Sequence, residues 1–241
     1  LVSPRSEQAI GGAEFAHSTS QMPGGQRQAL ALDELRRGNI PDFLRRLQPV
    51  EVQHVKAGDT LRAVLWVTPD YLAIGSDSDF LRIPLTYPSA VAIASEFGCL
   101  LPTRKIVDAI YAQATVHLAP IPMTPGARMR SSEYYLKHQR MIQEQLGGRQ
   151  PDSLVAGDKK DVVISNRLHR KQGRIAIYGW HRLSGRPIQP LSTVHEARYA
   201  DYSHGIRLVL ATVWINGEPH SLYDALQDPL LAPLFTYEER I

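Results

Sequence analysis

The sequence predicts an α+β domain with a mixed or antiparallel sheet and flanking helices. Three observations carry this. Short runs alternate apolar and polar residues, the period of a strand; others repeat apolar residues at three- and four-residue spacing, the period of a helix; and the last third of the chain reads almost wholly as sheet. The 241 residues are 43% hydrophobic, enough to bury a full core without disulfide or metal staples. A single domain over 29–241 is expected, preceded by an arm at 1–28 that is rich in Ser, Gly and Gln and reads as flexible.

Taken in order, 29–47 predicts two short helices, the first stopping at Gly38-Asn39 and the second starting after Pro41. The alternating run Val50-Glu51-Val52-Gln53-His54-Val55 opens a small antiparallel meander. Its further strands lie at 61–68 and 71–74, divided by Gly58-Asp59 and Pro69-Asp70. A helix at about 89–97 ends at Gly98. The next is capped by Thr103 and shows Ile106, Val107, Ile110, Tyr111 and Ala114 as one apolar stripe. Pro120, Pro122 and Pro125 mark a turn-rich connection before a helix over 133–146 that stops at Gly147-Gly148. Strands follow at 161–165, 174–180 and 205–215. The last closes on Asn216-Gly217, the strongest hairpin signal in the chain. A short helix over 222–226 comes near the end.

Several function classes are disfavoured at once. Lys plus Arg outnumber Asp plus Glu by only 27 to 24, so no steering field for nucleic acid is implied. No run approaches the roughly 18 apolar residues of a membrane span. The single cysteine, Cys99, excludes an internal disulfide framework and a multi-thiolate zinc site. The chain starts at Leu1, so loss of an N-terminal segment and export, to the periplasm or beyond, are expected.

The densest candidate chemistry is the run His195-Glu196-Ala197-Arg198-Tyr199-Ala200-Asp201-Tyr202-Ser203-His204, a loop feeding a strand. His181 and His220 close neighbouring strand runs and are expected to approach it. Three uses are open. Cys99 can serve as nucleophile with His204 as base and His195 or Asp201 as orienter, since thiolate chemistry needs an imidazole within hydrogen-bond reach. Alternatively, His195, Asp201 and His204 can hold zinc with one position left for water, Glu196 being a candidate base. Without catalysis, Trp180, Trp214, Tyr178, Tyr199 and Tyr202 can line a glycan or peptide groove. The loop bearing Arg167, His169, Arg170, Lys171 and Arg174 can hold an anion, though a solvated hairpin tip is the commoner case.

Resemblances add to these readings. The run Ser203-His204-Gly205-Ile206-Arg207, with Cys99 earlier in the chain, resembles NlpC/P60-type cell-wall cysteine peptidases. Those enzymes have Asp-Cys-Ser-Gly where Gly98-Cys99-Leu100-Leu101 stands here. That resemblance implies hydrolysis of amide bonds in peptide-like, cell-wall material with no cofactor. The run Ser192-Thr193-Val194-His195 leading to Asp201 is similar to part of the D-Ala-D-Ala zinc carboxypeptidase motif, with a shorter His-to-Asp spacing. Across most of the chain, the runs Lys159-Lys160-Asp161-Val162-Val163-Ile164, Ala176-Ile177-Tyr178-Gly179-Trp180-His181 and Tyr199-Ala200-Asp201-Tyr202-Ser203-His204-Gly205-Ile206-Arg207-Leu208-Val209 resemble a family of exported bacterial proteins without assigned activity. Lys56-Ala57-Gly58-Asp59-Thr60-Leu61 resembles the start of a LysM glycan-binding repeat, but strand follows where that module needs helix.

Overall fold

Residues 2–56, 58–149 and 153–241 are described by a computed structural model. Leu1 of the expected arm and Ala57 of the LysM-like run lie outside them. The remainder of 1–28 is not a loose arm: it forms α1 (Gly12–Ser18) and the start of α2 (Gly24–Arg36). Phe15 and Ala16 are buried there. The glycines that suggested flexibility serve close packing, since a Cβ on Gly12 would stand 2.3 Å from the backbone of Phe80 and Leu81.

Strands β1 (Gln48–Lys56) and β2 (Asp59–Val67) pair antiparallel along their length, with Val50 opposite Leu65 and Val52 opposite Ala63. Instead of extending this meander, β3 (Ala73–Gly75) turns back on β4 (Phe80–Arg82). Then come α3 (Tyr87–Glu96), β5 (Cys99–Leu100) and α4 (Arg104–Gln113). Thr103 caps α4 as expected, its Oγ1 accepting from the Ile106 N–H at 3.2 Å. After β6 (Val116–His117), α5 (Ser132–Leu146) ends on Gly147 in the left-handed region at φ 59°. The last third contains β7 (Val155–Ala156), β8 (Lys160–Val163), β9 (Ala176–His181), β10 (Pro187–Ser192), β11 (His204–Gly205), β12 (Val209–Leu210), β13 (Thr212–Ile215) and β14 (Glu218–Ser221), then α6 (Leu222–Gln227) and α7 (Ala232–Phe235). Asn216 and Gly217 both take positive φ in the β13–β14 turn, as that dipeptide predicts.

The α+β class holds. A six-stranded sheet runs β14-β13-β2-β12-β5 with β1 added to β2, and a four-stranded sheet runs β10-β9-β8-β11. The first buries Val50, Ala63, Leu65, Val67 and Val213 against Ile106 and Ile110 of α4 and against Leu222, Leu234 and Phe235. The strand expected over 205–215 is broken because the chain changes sheets within it. After β11 it crosses at 206–208 to the six-stranded sheet, tied down by the Leu72 N–H to Ile206 O and the Thr68 N–H to Leu208 O. Arg207 is fully buried at the crossing and donates to the Thr68 and Val155 carbonyls at 3.0 and 2.7 Å. Among the described residues, no helix is long and apolar enough to cross a membrane.

Candidate functional site

Strand β8 organises the site through its alternation. It pairs antiparallel with β9, Lys160 opposite Gly179, and parallel with β11, His204 beside Lys160. Side chains in register on neighbouring parallel strands project to one face, and the next residues along project to the other. Lys160 and His204 therefore share one face of the four-stranded sheet. Lys159 and Asp161 occupy the reverse.

On the first face, the loop before β11 brings the predicted residues together. Its backbone is fastened to the entry of β9 by the Ile175 N–H to His195 O and the Ala197 N–H to Gly173 O. Asp201 folds the end of the loop: its Oδ1 accepts from the Ser203 N–H at 2.8 Å and the Ser203 hydroxyl at 2.6 Å, and its Oδ2 accepts from the Tyr199 hydroxyl at 2.9 Å. Burial pushes this carboxyl up, but nearby His204, the Ser203 hydrogen bonds and Lys160 outweigh it and hold the group below its ordinary range. The Tyr199 ring stacks on His195 with centroids 4.3 Å apart and stands edge-on to His204 at 5.7 Å. His195 and His204 are 6.3 Å apart, centroid to centroid.

His204 is 1% exposed, and among the described residues neither ring nitrogen has a hydrogen-bond partner. Desolvation lowers its pKa to about 4, Lys160 and His195 acting in the same direction and Asp201 opposing them. The imidazole is thus neutral at pH 7, with a free lone pair on one nitrogen and a free N–H on the other. His195, half-buried, is also shifted down, by burial first. The Lys160 ammonium lies 4.9 Å above the Trp180 ring. Trp180 is itself unusual: it is a bulky residue at φ 54°, buried, with its indole N–H unpartnered among the described residues. Such backbone persists where the surroundings over-determine it, and here the Trp180 N–H is held by the Lys159 carbonyl at 3.0 Å.

The reverse face is an ionic support that the sequence reading missed. Lys159 donates to the Tyr202 carbonyl at 2.6 Å and to His138 Nδ1 at 3.2 Å, and burial drops its pKa to about 7. Asp161 accepts from the Tyr71 hydroxyl at 2.9 Å and is pushed up by burial to about 6. The Arg207 guanidinium lies 4.3 Å over the Tyr71 ring. Arg82 is paired with Asp70, donates to Gln139 Oε1 at 3.0 Å and lies 3.6 Å from Asp158, all of them buried. The signal available in the sequence was a set of lone charges inside apolar runs: Arg82 between Leu81 and Ile83, Arg207 between Ile206 and Leu208. Such charges must be paired when the strand is buried.

Other expectations are corrected. Cys99 does not meet His204. It sits in β5, 4% exposed, its thiol donating to the Phe97 carbonyl at 3.6 Å beside a cavity of about 90 Å³ lined by Ile40, Leu44, Leu72 and Leu208. Burial raises the thiol to about 11, so it is protonated at neutral pH, with no imidazole among the groups that act on it. His181 turns to α4, where its Nε2 is 3.3 Å from Asp108 and its ring stacks on Tyr111 at 4.5 Å. His220 is exposed on β14. The zinc set does not form either. Asp201 spends its oxygens on Ser203 and Tyr199, and among the described residues no three His, Cys, Asp or Glu side chains are arranged to hold a metal. Glu196 is exposed. The aromatic groove divides: Trp180 and Tyr202 pack together at 6.4 Å, Tyr178 donates to Asp108, and Trp214 stands on the other sheet against Trp66.

What remains is a neutral buried imidazole, a second imidazole beside it, a lysine ammonium on the same face and a fixed carboxylate. This set can accept a proton and stabilise developing negative charge. Comparison with family models, curated proteins and solved structures finds no match.

Proposed function

We propose that this chain is a hydrolase of amide bonds in peptide-like substrates, with water as the nucleophile and His204 as its base. The observation that carries this is the pair of unpartnered nitrogens on a fully buried imidazole beside Asp201. A buried unsatisfied polar atom costs about 1–3 kcal/mol, a cost that is explained if the neutral ring is kept free to engage a reacting group that the fold itself does not supply. In the step proposed, His204 takes a proton from water, the oxygen bonds to the amide carbon, and the carbonyl oxygen becomes an oxyanion facing the Lys160 ammonium. Collapse breaks the C–N bond while the imidazolium returns its proton to the departing nitrogen. Tyr199 and His195 cover His204, so this stacked pair must shift to admit substrate. Asp201 is a positioning residue that fixes Tyr199 and the loop.

The test is cleavage of a panel of peptides and cell-wall-derived peptides, followed by mass spectrometry. His204→Gln is expected to lower kcat by about 100-fold or more, the usual scale of a lost general base, while Cys99→Ala keeps it within about twofold. Loss of activity in Cys99→Ala with retention in His204→Gln would return the cysteine to the centre of the mechanism. No cleavage of any member sinks the assignment.

A further inference from the structure

We infer that the face carrying Lys160 and His204 binds an oxyanion, a carboxylate or phosphate group borne by the substrate, with Lys160 as its principal anchor. This rests on the proposed site, and names what its substrate must carry. The surface has an excess of donors over acceptors. Lys160 is half-buried, yet its ammonium makes no hydrogen bond or ion pair among the described residues. Among the described residues the Trp180 indole N–H beneath it is buried without an acceptor, and His204 offers a further unpartnered N–H. The carboxylate on this face, Asp201, has both oxygens engaged by Ser203 and Tyr199. Asp161, the next acidic residue along β8, points to the reverse face and holds Tyr71.

Two arginines extend the positive rim. The Arg130 guanidinium lies 5.5 Å from the Tyr199 ring centroid, and Arg174 donates to the Val194 carbonyl beside His195. Lys160 and His204 stand on adjacent strands, about 4.8 Å apart at the backbone, so one oxyanion can reach both once the stacked Tyr199–His195 pair that covers His204 has shifted. Asp201 is close enough to act on the Lys160 ammonium through space but makes no direct ion pair with it, so a half-buried cation is left with its donors unused, and an incoming anion relieves that cost. A charge-assisted hydrogen bond from Lys160 would hold the anion while the cation–π contact with Trp180 steadies the lysine stem.

The experiment is a titration of the whole chain with inorganic phosphate and, separately, with acetate at constant ionic strength, followed by ¹H–¹⁵N spectra of the Trp180 indole and of the histidine rings. Saturable shifts at Trp180 and His204 are expected with at least one anion. Saturation by acetate assigns a carboxylate-bearing substrate, and saturation by phosphate alone assigns a phosphate-bearing one. Lys160→Met is expected to weaken binding tenfold or more, Lys160→Arg to keep it within about threefold, and the exposed Lys171→Met to leave it unchanged. Absence of saturable shifts with both anions, or equal affinity in Lys160→Met, overturns the proposal. The two readings fail separately: anion binding that survives alongside full activity in His204→Gln removes the acid–base role and leaves the anion site standing.

Discussion

His204 shows at the scale of one residue how burial becomes chemistry. An imidazole in water titrates near 6.5, and in this site it titrates near 4. The unfolded chain therefore takes up the proton first as pH falls, so the stability contributed by the neutral ring is present above pH 6.5 and is lost between about 6.5 and 4. The shift corresponds to about 3 kcal/mol. Thermal unfolding across this range should show a steep acid limb that is shallower in His204→Gln. An identical limb in the variant would mean that the ring is not held neutral. His138, lowered by burial and by Lys159 to about 2, adds to the same limb and keeps the variant from becoming flat. Cys99 behaves in the opposite sense: burial raises its thiol and closes the route to a thiolate. The expectation of a nucleophile rests on a helix following Cys99, whereas the apolar neighbours Leu100-Leu101 carry the signal of a packed thiol that the structure shows.

Among the elements, the junction between β8 and β11 depends on a side chain that is missing. A Cβ on Gly205 would stand 2.5 Å from the Tyr71 ring and 2.8 Å from Lys159 Cβ. Gly205→Ala should therefore destabilise by about 1–3 kcal/mol, read as a lower denaturant midpoint, with weakened activity because His204 is the adjacent residue. An unchanged midpoint would show that Tyr71 can give way. What was legible in the sequence follows the same scale. The α4 cap at Thr103, the stop at Gly147 and the Asn216-Gly217 hairpin were readable because each is decided within a few residues. His195, Asp201 and His204 were found together because one short loop contains them. The sequence groups Trp180 with Tyr199 and Tyr202 only as a groove aromatic and does not place Lys160 there at all, since the position of Lys160 beside His204 depends on β8 pairing with β9 on one side and β11 on the other, and strand pairing is not written locally. The break of 205–215 into three strands had the same non-local cause.

For the molecule as a whole, a buried ionic cluster links parts far apart in sequence. Asp70 precedes β3, Arg82 closes β4, Gln139 lies on α5 and Asp158 leads into β8. Removing one partner of a buried pair strands the other charge, so Arg82→Met alone should cost about 3–5 kcal/mol, while Asp70→Leu with Arg82→Met together should cost less than the sum of the two single changes. Urea unfolding of the two singles and the double checks this, and additive losses would mean that the pair is not coupled. The cluster supports the strand bearing Lys160 from behind, so its loss should also lower the proposed activity without touching the face that carries Lys160 and His204.

The alternation along β8 has one more consequence. Lys159 and Lys160 are the same residue type one position apart, yet one is a strut inside the protein and the other faces the site. Their assignment rests on odd or even position along the strand, and a slip of one residue would exchange them and carry the Asp161 carboxylate to the site face as well. Here identity is carried by parity: a single insertion or deletion in the loop before β8 would be more damaging than many substitutions within it.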